Sequence, residues 1–189
     1  MKQKRIAWMF ILAALLSTLA CESALEPGRG TTVILVRHGE KVDDSEDAQL
    51  SPLGLARAQD LASLLRDAGV RALYSSEFRR TQEMLQPLAD RLHLQIEAIP
   101  AAEPKHLVDA ILEQHEGQVV VVASHGDRIG EILRLLGVSP EQSNVNPNYD
   151  DLFVVTQIGD GQAYLLHLTY GVPDQDTMGA AAEGSGPGA

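Results

Sequence analysis

Cysteine is nearly absent. Cys21 is the only one in 189 residues, which excludes a disulfide framework and a multi-cysteine zinc site. Basic side chains are scarce as well, with fifteen Lys and Arg against 26 Asp and Glu and a formal charge of −11. So acidic a chain offers no electrostatic footprint for nucleic acid. No apolar run reaches the roughly 20 residues that a permanent membrane-spanning helix requires. What is present is globular: 44% hydrophobic and 22% charged residues argue against disorder over most of the length, and one domain is expected. Where the few basic residues gather is therefore informative.

Three of them, Lys2, Lys4 and Arg5, precede the apolar run Ile6–Ala20. A basic segment followed by a short apolar one reads as a secretory signal. It ends in Thr18-Leu19-Ala20-Cys21, which resembles a bacterial lipoprotein cleavage site, where the cysteine becomes the acylated N-terminus. The expectation is an exported protein held to a membrane through a lipid anchor on Cys21. An ordinary signal peptide, or an uncleaved anchor, is the alternative. The chain thus divides into a signal peptide over 1–21, a polar tether over 22–30, a domain over 31–173, and a tail over 174–189. That tail is Gly, Ala and polar without apolar periodicity, and disorder is expected there.

Within the domain, Thr32–Val36 and Val119–Ala123 are short apolar β-branched runs, as in strands buried on both faces. Leu73–Ser75 and Leu94–Ala98 are weaker strand signals. Helical periodicity falls between them. Ser51-Pro52 is an N-cap with proline at the first helical position. Gly54, Ala58, Leu61 and Leu65 then recur on one face, widened by Leu64 and Ala68 and stopped by Gly69. Thr81, Met84, Leu85, Leu88 and Leu92 form a second stripe that Pro87 should kink or split. Leu107, Ala110, Ile111 and Gln114 form a third; Ile129, Ile132, Leu133 and Leu136 form a fourth, ended by Gly137. Alternating strands and helices predict a three-layer α/β/α sandwich around a mostly parallel sheet. Leu152–Ile158, Gly159-Asp160-Gly161 and Ala163–Tyr170 read as a closing hairpin.

The first central strand runs into Arg37-His38-Gly39-Glu40, and the second into Ser124-His125-Gly126-Asp127. Ligands of open α/β sheets bind at the carboxyl ends of the strands, so both histidines belong at one mouth. Leu73–Ser75 is followed there by Ser76-Glu77-Phe78-Arg79-Arg80-Thr81. Two histidines and up to three arginines in an acidic protein suit a phosphoryl group, which needs guanidinium forks for its oxygens and an imidazole to attack or stabilise. His93, His106, His115 and His167 stand in no such context.

These residues carry a resemblance. Arg37-His38-Gly39-Glu40 after an apolar strand resembles the signature of the histidine phosphatase superfamily, whose fold is phosphoglycerate-mutase-like. Three blocks follow in that family's order: Leu50-Ser51-Pro52-Leu53-Gly54, Ser75-Ser76-Glu77-Phe78-Arg79-Arg80-Thr81, and Val122-Ala123-Ser124-His125-Gly126. The resemblance implies a cofactor-free phosphatase in which His38 attacks phosphorus in line and becomes a phosphohistidine that water hydrolyses. It implies that Arg37 and Arg80 hold the phosphoryl oxygens and His125 completes the cradle, with Glu40 and Gly126 beside the substrate. Arg79 falls at a variable position.

The family's general acid follows the third strand, where Glu103 is the candidate proton donor. Asp127 is a rival, and the branch acting on phosphohistidine has no obvious dedicated acid. The implied partner is a phosphorylated small molecule or a phosphoprotein. A non-catalytic phosphate-binding module and a mutase are alternatives on the same fold. A metal hydrolase using His38, His125 and Asp127 lacks any recognised ligand spacing.

Overall fold

Alternation along the strands decides the layering. The computed structural model describes residues 30–158 and 162–173. β1 (Thr31–Arg37) sends Val33 and Leu35 to one face and Ile34 and Val36 to the other, as period-two geometry requires. β4 (Val119–Ser124) does the same with Val120 and Val122 against Val121 and Ala123. Both strands are thus covered twice, which is why they read as unbroken apolar runs.

Six strands form one sheet in the order β3-β2-β4-β1-β5-β6. β2 (Val70–Ser75), β3 (Ile96–Ala98), β4 and β1 run parallel, whereas β5 (Asp151–Ile158) and β6 (Gln162–Thr169) close the sheet as an antiparallel hairpin. One face packs against α1 (Pro52–Leu65) and α2 (Arg79–Leu92). The other packs against α3 (Pro104–Gln114) and α4 (Gly126–Leu135), followed by the short α5 (Pro140–Ser143). The result is the α/β/α sandwich with a mostly parallel sheet. Each fully buried Leu, Ile or Val contributes about 1.5–3 kcal/mol to holding the layers together.

Some details differ from expectation. Leu64 is 54% exposed and Ala68 is exposed too; the buried stripe of α1 instead takes in Ala62 and the charged Arg57. Gln114 is exposed at the end of α3. β3 begins at Ile96 rather than Leu94. Pro87 does not split α2, which runs unbroken from Arg79 to Leu92. Proline removes one backbone donor there, but Met84, Leu85, Leu88 and Ala89 are buried on either side of it and outweigh that loss. Ser51 caps α1 by accepting from the Gly54 amide at 3.2 Å.

The signal peptide with Cys21, most of the tether, the turn Gly159-Asp160-Gly161 and the tail 174–189 lie outside the described residues. Among the described residues no helix is long and apolar enough to cross a membrane.

Candidate active site

β1, β4 and β2 are neighbours in the sheet and parallel, so their carboxyl ends meet. That brings together Arg37 and His38 beyond β1, His125 beyond β4, and Ser76 to Arg80 beyond β2. The His38 amide donates to the Ser124 carbonyl at 3.0 Å, tying the two histidine segments together. The imidazole centres of His38 and His125 lie 5.4 Å apart, edge to face.

His38 is 5% exposed, and its Nδ1 sits 2.8 Å from the Gly39 carbonyl. A carbonyl only accepts, so Nδ1 carries the proton and Nε2 keeps its lone pair. Burial pushes the His38 pKa down to about 4; the Gly39 carbonyl opposes this, while His125, Arg80 and Arg37 add to the lowering. The ring is neutral at pH 7 and nucleophilic at Nε2.

The Gly39 carbonyl owes its position to two glycines. A Cβ on Gly39 would come within 2.8 Å of the Gly54 Cα, and one on Gly54 would overlap the Glu40 carbonyl oxygen. The loop after β1 therefore rests directly on the first turn of α1, with the Ser51 amide donating to the Glu40 carbonyl at 2.7 Å.

Arg37 donates from Nη1 to the Pro147 carbonyl at 2.9 Å, and its guanidinium carbon lies 4.1 Å from the centre of the Tyr149 ring. Arg80 donates to the Glu46 carbonyl at 2.8 Å and stacks over Phe78 at 4.5 Å. In each arginine the Nε–H is buried and has no acceptor among the described residues. Gly126 lies alongside Arg37, whose guanidinium carbon passes 3.4 Å from where a Cβ would stand, an ordinary contact distance.

His125 is the N-cap residue of α4, where the positive end of the helix favours an anion. Its pKa also falls to about 4, chiefly through burial and then Arg80; Asp127 and Glu77 oppose the shift, and Arg128 adds to it. Its Nε2 lies 2.8 Å from the Ser76 hydroxyl, and its Nδ1 lies 3.4 Å from an Arg80 guanidinium nitrogen.

The structure thus gathers His38, Arg37, Arg80, His125 and Gly126. The other named residues take other partners. Glu40 accepts from Arg57 at both oxygens, at 2.5 and 3.2 Å, and that arginine is 2% exposed and also donates to the Val172 carbonyl at 2.9 Å. Glu103 is the N-cap residue of α3 with a half-exposed carboxylate 3.1 Å from His106 Nδ1. Arg79 lies on the surface, 3.7 Å from Glu83. Asp127 pairs with Arg128 at 3.6 Å. Among the described residues no group of three or more His, Cys, Asp or Glu is placed to hold a metal ion.

Sequence reasoning missed Tyr149, Phe78 and the hydroxyls of Ser76 and Thr81. Tyr149 lies 5.9 Å from the His38 ring centre, in a loop after α5 without periodicity or motif. Ser76 and Thr81 stood inside a recognised block but had no role.

The sequence pattern of the histidine phosphatase superfamily (branch 1) matches residues 33–103, a stretch holding Arg37, His38 and Arg80 but ending before His125. No curated protein matches the sequence. Solved structures do. The chain resembles the alpha-ribazole phosphatase from Shigella flexneri with a TM-score of 0.62 and 18% identity, over 76% of this chain and 100% of that one. It resembles a mycobacterial glucosyl-3-phosphoglycerate phosphatase with a TM-score of 0.61 and 16% identity, over 72% and 97% of the two chains. The protein histidine phosphatase SixA, complexed with tungstate, gives 0.59 and 19% identity, over 73% and 96%. At such identities the likeness is one of fold.

Proposed function

We propose that this chain, whose residues 33–103 match the pattern of the histidine phosphatase superfamily, is a member of that family and hydrolyses phosphomonoesters or phosphohistidine through a covalent phosphohistidine on His38. One observation carries the reading. His38 presents a neutral, buried imidazole whose Nδ1–H is spent on the Gly39 carbonyl, leaving the Nε2 lone pair beside two guanidinium groups. Nε2 attacks phosphorus, the bond to the leaving oxygen of an ester or the leaving nitrogen of a phosphohistidine breaks, and that atom takes up a proton. Water then attacks the phosphorus, inorganic phosphate leaves, and His38 is regenerated.

Arg37 and Arg80 bind the equatorial oxygens, where charge spreads in the transition state, and the N-terminus of α4 adds a fixed positive dipole. His125, neutral at rest, gains a proton when a dianion enters, and then donates to a phosphoryl oxygen. Nothing in this scheme calls for a cofactor. The names of the fold neighbours, an alpha-ribazole phosphatase, a glucosyl-3-phosphoglycerate phosphatase and a protein histidine phosphatase, support a phosphate ester or phosphohistidine as the substrate class. For the N-terminus the proposal is export with an acyl anchor on Cys21, supported by sequence alone; a Cys21→Ser variant should leave the membrane fraction with its activity intact.

Turnover of p-nitrophenyl phosphate in the presence of chelator tests the central reading. Rapid quenching with labelled substrate should trap an acid-labile phosphoenzyme in the wild type and none in His38→Ala. Phosphate binding without turnover would overturn the enzyme in favour of a binding module, and a phosphoenzyme persisting in His38→Ala would overturn the nucleophile.

A further inference from the structure

We propose that Ser76, backed by Thr81, is a positioning residue that fixes the protonation state of His125 through a buried chain of hydroxyl groups. The proposal rests on the phosphatase reading for its kinetic consequence, but not for its geometry.

The Arg80 contact gives the chain its direction. A guanidinium only donates, so His125 Nδ1, 3.4 Å from the Arg80 nitrogen, is the acceptor. A neutral imidazole that accepts at Nδ1 carries its hydrogen on Nε2, and Nε2 lies 2.8 Å from the Ser76 Oγ, which must accept. Ser76 then has its own hydrogen to give, and Thr81 Oγ1 stands 2.8 Å away. The Thr81 hydroxyl in turn donates to the Phe78 carbonyl at 2.8 Å, closing the chain on the backbone. The Phe78 amide points back to the Ser76 Oγ at 3.3 Å. Each donor meets one acceptor. The opposite tautomer could run the hydroxyl chain in reverse, but it would set Nδ1–H against an Arg80 N–H, donor facing donor in a buried place.

Burial gives the chain its force. Thr81 is fully buried, and Ser76 and His125 are 4% and 7% exposed, so water cannot replace a lost partner cheaply. The groups facing His125 come from every element around it: Arg80 on α2, Glu77 after β2, His38 after β1, and Asp127 and Arg128 on α4. None of them accepts at Nε2, which is left to Ser76.

The consequence is directional. With Nε2–H held by Ser76, the lone pair of His125 is Nδ1, on the side of Arg80. A proton arriving with a phosphate dianion must enter there. For that, Arg80 must turn its N–H from Nδ1 onto the phosphoryl oxygens; the imidazolium then has both hydrogens placed, one on Ser76 and one on the same phosphoryl group. Without the chain the ring divides its population between tautomers and fewer molecules are ready.

Two variants at position 81 test this without emptying the site. Thr81→Val keeps the shape and removes the hydroxyl; Thr81→Ser keeps the hydroxyl. Thr81→Val should lower kcat about tenfold with KM little changed, the rate equivalent of one buried hydrogen bond left unmade, while Thr81→Ser restores it. Ser76→Ala should fall further in the same direction. Nitrogen-15 shifts of labelled histidine in the resting wild type, assigned with His125→Asn, should show Nε2 protonated and Nδ1 bare. The reverse pattern overturns the proposal, and so does equal kcat in Thr81→Val and Thr81→Ser. If the Nε2–H tautomer is found in a protein that turns over no phosphate ester or phosphohistidine, the positioning stands and the phosphatase reading falls.

Discussion

Arg37 lies over Tyr149, its guanidinium carbon 4.1 Å from the ring centre, while its Nη1 donates to the carbonyl of Pro147 in the same loop. The arginine next to His38 is thus aimed from a segment far along the chain. Its fork is oriented before any anion arrives, and ordering it on binding costs little entropy.

Substitutions at this pair should separate charge from aim. Arg37→Lys keeps the charge but loses the planar fork and the stack, and kcat/KM for p-nitrophenyl phosphate should fall by about 10²-fold, the scale of a lost transition-state donor. Tyr149→Leu should cost less, about five- to thirtyfold, the range of a partly desolvated cation–π contact. Steady-state kinetics on the two variants would check the order; Tyr149→Leu matching wild type would show that the ring does not aim the arginine.

Acid should weaken the fold through the two histidines. Their folded pKa values, about 4 for His38 and for His125, lie below the ordinary 6.5. Between those limits the unfolded chain takes up protons that the folded chain refuses, so stability falls as pH drops from about 6.5 to about 4. Above 6.5 both states are neutral and the effect vanishes. Urea midpoints at pH 7 and pH 5 should therefore differ, and the difference should shrink in His38→Asn and in His125→Asn. An unchanged pH dependence in both variants would contradict the depressed values.

The buried pair Arg57–Glu40 should matter for stability. Arg57→Ala leaves a partly buried carboxylate unpaired, and about 3–5 kcal/mol is the usual cost of breaking such a pair. Thermal unfolding should drop by about 10 °C in a domain of this size. The double variant Arg57→Met with Glu40→Leu should recover most of that loss, since the remaining charge is gone too. Equal melting temperatures for the single and double variants would place the effect in lost packing instead.

Glu103→Gln should slow alkyl phosphates and p-nitrophenyl phosphate alike, and only slightly. The carboxylate is 52% exposed and its partner is His106, so it has the surroundings of a helix-start residue. A general acid would instead be worth about 10²–10⁴-fold for the poor leaving group alone. Selective loss on alkyl phosphates would restore Glu103 as the proton donor.

How far the sequence could be read depended on whether the determining forces were local. Val120 to Ala123 and Val33 to Val36 announced central strands because burial on both faces leaves no polar alternation. The placement of His38 and His125 at one mouth followed from strand ends and parallel pairing. Pro87 misled because its local cost is visible in sequence, whereas the burial of Met84 and Leu88 that overrides it is not. Arg57 falls on the apolar stripe of α1, yet its charge hid the fact that Glu40 and the carbonyls of Tyr170 and Val172 receive it in the interior. Tyr149 had no signal at all. Its position is set by the path of the loop between α5 and β5, which only the folded whole determines.

The contact between Gly39 and Gly54 reaches further than packing. The carbonyl that decides which nitrogen of His38 is bare belongs to Gly39, and Gly39 is pressed onto a helix with no side chain between them. A single methyl group added on α1, at position 54, would overlap the Glu40 carbonyl oxygen and crowd the Glu40 amide, which is bonded to that Gly39 carbonyl, without touching an imidazole. His38 would then be free to swap its proton between nitrogens. The first turn of α1 is in this sense a mould for a lone pair, and the reactivity of His38 is cast partly by a residue that has no chemistry of its own.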